Sequence, residues 1–213
     1  MLAFALAAFS AIFSVVDPLG AVPVYIAMTA ADSREHKRRT ALRASLTMGL
    51  ALAIFAASGV YILHFFGISI GSFRIAGGLL LFLLAVDMLR AQPSRQRTTP
   101  EEMQEGTEKP DISVFPLAIP MLSGPGAFAT VMMLMTRAHD VWERGFVFVA
   151  IALNAGITFA VLLGATVAEK RLGKTGMNVL HRVMGLLLAA IAVQFVVDGA
   201  HEVLPAIVGS LHH

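Results

Sequence analysis

Charge is distributed along this chain in a way that leaves few folds open. Asp, Glu, Lys and Arg make up only 14% of its 213 residues, and they crowd into short intervals between long uncharged runs. Met1 to Ala31 carries one formal charge, Asp17; Ala44 to Phe73, Ile112 to Thr136, Gly145 to Ala168 and Val183 to Val197 carry none. Between Arg74 and Asp87 the chain is again uncharged, and the apolar pattern there extends from Ile68 to Leu89. A helix that crosses a bilayer needs about 20 mainly apolar residues. Six segments meet that requirement, the third and sixth with polar residues near their ends. A soluble helical bundle would need a polar face on every surface helix, and a soluble domain carries about 25% charged residues; these runs offer neither. The sequence therefore predicts an all-α, polytopic membrane protein with six transmembrane helices. Met1–Ala31 reads as a mature first helix, since it lacks a basic leader and is interrupted by Asp17, Pro18 and Pro23. With no cysteine at all, thiol catalysis, disulfides and cysteine-based metal sites are excluded.

Lysine and arginine set the expected orientation. Of the 16 basic side chains, 13 fall in the first, third and fifth connections or their flanks, and only Arg74, Arg137 and Arg144 lie on the other side. The positive-inside rule places the basic side in the cytoplasm and both termini outside. The cluster RRTALR in the first connection reads as a topology determinant that can touch anionic lipid headgroups. Nothing in the net charge of +2 calls for a nucleic-acid partner.

The chain repeats itself. VDPLGA at Val16–Ala21 answers LSGPGA at Leu122–Ala127 with a shift of 106, and GGLLLFLLAV at Gly77–Val86 answers MGLLLAAIAV at Met184–Val193 with a shift of 107. The expected organisation is residues 1–90 as a first three-helix repeat, 91–111 as a polar cytoplasmic linker, and 112–213 as a second three-helix repeat, in one integral membrane domain. Three is odd, so the second copy enters from the opposite face. Such inverted repeats recur in secondary transporters.

Proline and glycine fall at matching places in the two repeats. DPLGAVP (Asp17–Pro23) interrupts the first span; Pro116, Pro120 and SGPG (Ser123–Gly126) interrupt the fourth. Proline removes a helical donor and clashes with the preceding turn, and in hydrocarbon such a break survives only where protein or a water-lined cavity satisfies the freed groups. Broken or kinked helices 1 and 4 meeting near mid-depth would form a small polar cradle for a carboxylate, an amine or an ion. The binding candidates are Asp17, Pro18, Gly20, Pro23, Ser123, Gly124, Pro125, Gly126 and Asn154. Asp17 has two compatible readings, a coupling-ion or proton ligand and a cap for freed backbone amides. Ser123 and Thr130 offer hydroxyl ligands or local bonds to backbone carbonyls. Arg74 and Arg182 are expected to snorkel to the interfaces, His181 to pack there, and Asn154 and Gln194 to face a cavity or another helix. Gly77, Gly78 and Gly185 are expected to let helices approach closely, with Gly145, Gly156 and Gly164 doing the same in the fifth span.

No metal, nucleotide or hydrolase motif is present, and His201–Glu202 lacks the second histidine of a zinc helix. The reading is a non-enzyme without cofactor, whose partners are the bilayer and a small solute, with H+ or Na+ as coupling-ion candidates. A passive channel, a non-transporting scaffold and a membrane-embedded enzyme are the alternatives.

VVDPLGAVPVYIAMT in the first span, RIAGG at Arg74–Gly78 and IPMLSGPGAFATVMMLM in the fourth resemble the MarC family, also called UPF0056, over essentially the whole chain. The resemblance implies a six-helix protein of the bacterial inner membrane and transport of neutral amino acids such as alanine or glycine. Asp17, Pro18, Gly20 and Pro23 match the family's first motif, and Gly124, Pro125 and Gly126 its second. Where the family often carries Asn after the motif glycine, this chain has Ala21, which removes an amide's donors and acceptors from that position.

Overall fold

The computed structural model describes residues 1–30, 32–90 and 112–210, all of whose regular structure is helical. The polar connection expected at 91–111 lies outside the described residues. In chain order the helices are α1 (Leu2–Val16), α2 (Val22–Met28), α3 (Arg34–Phe65), α4 (Ile70–Leu89), a widened helical segment at Ser113–Leu122, α5 (Pro125–Arg137), α6 (Val141–Leu163) and α7 (Ala165–Ser210).

Local chemistry fixes the helix starts. Ser33 opens α3 by accepting the His36 N–H, and Ser69 opens α4 by accepting that of Ser72. At α6 two carboxylates hold the start: Asp140 accepts from Glu143 N–H at 2.7 Å, and Glu143 accepts from the N–H of His139, the residue before the cap, at 2.9 Å. Gly173, at φ 62°, interrupts α7 ahead of its apolar stretch Arg182–Leu204.

Among the described residues, α3, α4, α6 and the Arg182–Leu204 part of α7 are long and apolar enough to cross a membrane. The 15 residues of α1 reach only about 22 Å and the 13 of α5 about 20 Å, short of a hydrocarbon core of about 30 Å. Each is preceded or followed by a second helical piece across a break. Side chains such as Leu46, Leu50 and Ile54 on α3, and Leu186 on α7, are exposed, so the apolar outer surface suits lipid.

Packing is closest between α4 and α7, which run antiparallel along their length. The seam is built from small residues seven apart on both helices. A Cβ on Gly71 would come within 3.1 Å of the Gly199 carbonyl, one on Gly78 within 2.8 Å of that of Ala192, and one on Gly185 within 3.1 Å of that of Ala85. This is the close approach expected for Gly78 and Gly185. Gly77 faces the other way, toward Met133 and Ala129 of α5. Gly145 and Gly156 depart from expectation: both are exposed and no atom stands within 4 Å of where a Cβ would sit, so they mediate no helix contact. The buried core joins α1, α3, α5 and α6 around Ile12, Met48, Leu52, Met133 and Leu162.

Candidate functional site

The first break begins at Asp17, which ends α1 in the left-handed conformation (φ 46°, ψ 68°). Aspartate tolerates this region better than most residues, and the following Pro18 disfavours right-handed helical geometry at position 17. The Asp17 N–H still donates to Phe13 O at 2.9 Å. The Gly20 N–H then donates to both the backbone carbonyl and the Oδ1 of Asp17, each at 3.1 Å. The carboxylate thus closes a turn over residues 17–20 and is buried, at 1% exposure. Helix resumes at Val22, with Pro23 exposed in the first turn of α2, where a missing N–H costs nothing. Thr29 Oγ1 donates to Tyr25 O, and the Tyr25 hydroxyl donates to Lys37 O at 2.8 Å, which ties α2 to α3.

The second break is spread over more chain. Phe115 and Ile119 both precede proline and both adopt extended angles (φ −128°, ψ 129° and φ −127°, ψ 124°), as the residue before proline prefers. Each extended residue widens the turn, so Leu117 N–H reaches Ile112 O and Ser123 N–H reaches Ala118 O, five residues back. Ser123 Oγ also donates to Ala118 O, at 2.7 Å. Gly124 then caps α5, which starts on Pro125. Thr130 Oγ1 donates to Gly126 O one turn back. Both hydroxyls satisfy carbonyls of their own segment.

The end of α1, just before the first break, packs on the second. A Cβ on Gly126 would lie 3.7 Å from Val15 and 3.1 Å from Leu81. A cavity of about 260 Å³ opens at this point, lined by Val15 of α1, Leu80 and Leu84 of α4, Met121, and Gly124, Pro125, Gly126 and Ala127 at the start of α5. Of the sequence candidates, Gly124, Pro125 and Gly126 line it. Asp17, Pro18, Gly20 and Ser123 belong to the turns that shape the two breaks, and Pro23 faces outward. Asn154 sits apart on α6, fully buried, its amide nitrogen donating to Ala150 O at 2.8 Å and lying 3.5 Å from Phe9 O of α1. Its Oδ1 is buried without a hydrogen-bond partner. Leu80, Leu84 and Met121 are lining residues that the sequence reading missed, because nothing separates them in sequence from ordinary lipid-facing or core residues.

A second polar group lies at the far end of α5. Arg74, expected to snorkel, pairs with Glu202 at 3.0 Å and donates to Thr136 Oγ1 at 3.2 Å. Arg137 pairs with Asp198, and Gln194 bonds Asp198 within α7 and not a neighbouring helix. Arg182 is exposed, in keeping with an interfacial side chain.

Residues 2–204 match the family described as MarC family integral membrane protein. A UPF0056 membrane protein of Methanocaldococcus jannaschii is 45% identical over 195 residues, covering 90% of this chain and 93% of its own. UPF0056 membrane protein YhcE of Escherichia coli is 37% identical, covering 93% of each chain, and YvbG of Bacillus subtilis is 35% identical, covering 97% of this chain and 99% of its own. No solved structure matches the chain. Matched almost end to end, and with four helices among its described residues long and apolar enough to cross a membrane, the chain belongs to the MarC (UPF0056) family of multi-pass integral membrane proteins.

Proposed function

We propose that this protein is a secondary transporter of small neutral amino acids that works by alternating access in the bacterial inner membrane, and that it is not an enzyme. The observation carrying this reading is a cavity built on the second helix break and walled by Val15 of α1, two residues before the first. Its volume of about 260 Å³ falls just below the usual range for ligand sites, about 300–1,000 Å³, which suits a small solute. Its composition suits the same class: Val15, Leu84, Met121 and Ala127 offer contact for a short apolar side chain. The first turn of α5 offers the Gly126 N–H, at the positive end of a helix dipole, for a carboxylate; the Ala127 and Phe128 N–H groups already donate to Gly124 O. Ala21 leaves the first break without a side-chain amide, which puts the polar recognition on backbone.

The six-span, inverted-repeat organisation is part of this proposal, with residues 1–90 and 112–213 as halves and both termini outside. The α4–α7 seam supports it. Under the 107-residue shift Gly78 becomes Gly185 and Ala85 becomes Ala192, so the Gly78–Ala192 and Ala85–Gly185 contacts exchange with one another. Contacts that exchange in this way are what a two-fold axis in the membrane plane would produce.

The test is reconstitution in liposomes with radiolabelled glycine, alanine and serine, with and without imposed proton and sodium gradients. Accumulation above equilibrium that follows one gradient is the expected result, and Gly126→Val, which fills the space beside Val15 and Leu81, should reduce uptake at least tenfold, about 1.4 kcal/mol in binding. Equilibration alone would make the protein a channel or uniporter, and silence across a broad substrate panel would leave a scaffold.

A further inference from the structure

We propose that the cavity beside Gly126 is a lateral pocket that takes a stretch of a phospholipid acyl chain from the core of the bilayer. Such an occupant goes beyond the carrier reading: it arrives from the membrane, and a solute taking the same space would have to displace it. Three separate observations carry the proposal. First, the lining divides into a floor and a rim. Val15, Leu84, Met121 and Ala127 are buried, whereas Leu80 is 43% exposed and Pro125 is exposed with it. The cavity therefore opens on the outer surface of the bundle, between the middle of α4 and the start of α5, with no movement of either helix. Second, the mouth lies at the depth of the acyl chains. Leu80 stands midway along the 20 residues of α4, about 15 Å from Ile70 along the helix, which is half of a hydrocarbon core of about 30 Å. Third, the mouth is continuous with the surface that meets lipid. Leu79, Phe82 and Leu83 flank Leu80 on α4 and are 41–53% exposed.

Position and chemistry together select the occupant. Among the described residues, none that lines the cavity carries a charge or a hydroxyl. A water molecule would find too few polar partners there, and a headgroup would have to leave its interface about 15 Å away. An acyl chain is already beside the mouth. Within hydrocarbon no hydrophobic gain draws it in; dispersion does, because floor atoms facing unfilled space lack partners that each methylene supplies. The volume of about 260 Å³ admits a segment of one tail and not a whole lipid, so the headgroup stays at its interface. Met121, unbranched and adaptable, lets the floor fit a chain of irregular shape.

The test uses the full chain in vesicles of phosphatidylethanolamine and phosphatidylglycerol. They are doped with a phospholipid carrying a diazirine midway along one acyl chain, irradiated, and the adducts are located by mass spectrometry. A lipid that only coats the protein reaches Leu79 and Leu83; one that enters also reaches Val15, Leu84 and Met121. We expect adducts on both sets, and none on the floor when the diazirine sits beside the headgroup. Ala127→Leu, which fills the floor, should lower floor adducts at least about fivefold relative to those on Leu79 and Leu83. Gly156→Leu, which adds bulk to open space on α6, should leave that ratio unchanged. Adducts confined to Leu79 and Leu83 in the parent overturn the proposal, as does unchanged floor labelling in an Ala127→Leu protein of parental melting temperature. The chain contains no cysteine, so Leu80→Cys also reports on a second copy: near-complete disulfide dimerisation in the same vesicles would seat a protomer over the mouth and overturn the lipid. Floor adducts in a protein that carries no amino acid discard the carrier reading alone; gradient-driven uptake with a floor free of adducts discards the lipid alone.

Discussion

Glycine lines two faces of α4, and the two faces do opposite things. On one, Gly71 and Gly78 meet the backbone of α7, and on the other Gly77 meets the flexible end of Met133 on α5. The same residue type makes a rigid seam where its neighbour is backbone and an adaptable bearing where its neighbour is a thioether. The difference assigns roles within the bundle: α4 and α7 form a fixed pair, and the broken helices around α5 hold the cavity against it. Small residues alone do not distinguish the two.

The sharpest break of this comparison uses adjacent positions. Gly78→Ala would bring a methyl within 2.8 Å of Ala192 O and 3.0 Å of Val196 N, atoms that move only if the helices part. We expect a loss of about 3 kcal/mol, the upper end for overpacking, measured by unfolding in detergent micelles. Gly77→Ala meets the Met133 methyl, the Ala129 Cβ and the Met133 sulfur, at 3.1, 3.3 and 3.4 Å and with no backbone among them, and should cost less than about 1 kcal/mol. Equal losses at the two positions would erase the distinction between seam and bearing.

The first break comes next in size. Asp17→Ala removes the acceptor for Gly20 N–H and places alanine at φ 46°, for a combined cost of about 2 kcal/mol. Asp17→Asn keeps an acceptor oxygen and a residue that tolerates this angle, and should stay within about 1 kcal/mol of the parent. The same two variants in the liposome assay separate the two readings of Asp17. Uptake retained by Asn makes the carboxylate a turn-closing group; gradient-driven uptake lost by a well-folded Asn variant makes it a coupling ligand. At the small end, Gly156→Ala adds a methyl to open space on α6. It should leave melting unchanged or raise stability by up to about 1 kcal/mol through helix propensity, whereas a loss would place a packing partner there.

Much of this arrangement was legible in the sequence. Asp17, Pro18 and the Gly124–Pro125–Gly126 run marked both breaks, because proline and glycine act on their own backbone whatever surrounds them. The extended angles at Phe115 and Ile119 follow from Pro116 and Pro120 by the same logic. Legibility ended with partners. Arg74 read as a snorkelling residue because nothing near it in sequence carries a negative charge; its partner, Glu202, is 128 positions away. Gly145 and Gly156 read as contact residues because glycine looks the same whether it faces a helix or the outside.

Sequence by itself determined that the chain is an all-helical membrane protein, since uncharged runs of that length satisfy their backbone in hydrocarbon only by coiling. It also placed the two interruptions, since those are properties of single residues. Only the tertiary structure decided which surfaces meet: that Val15 approaches Gly126, that Leu84 and Met121 line a cavity while similar side chains face outward, and that Arg137 finds Asp198. The physical reason is that inside a bilayer the hydrophobic effect no longer sorts one apolar face from another. Helix association then rests on shape and on rare polar pairs, and both are properties of surfaces brought together from distant parts of the chain.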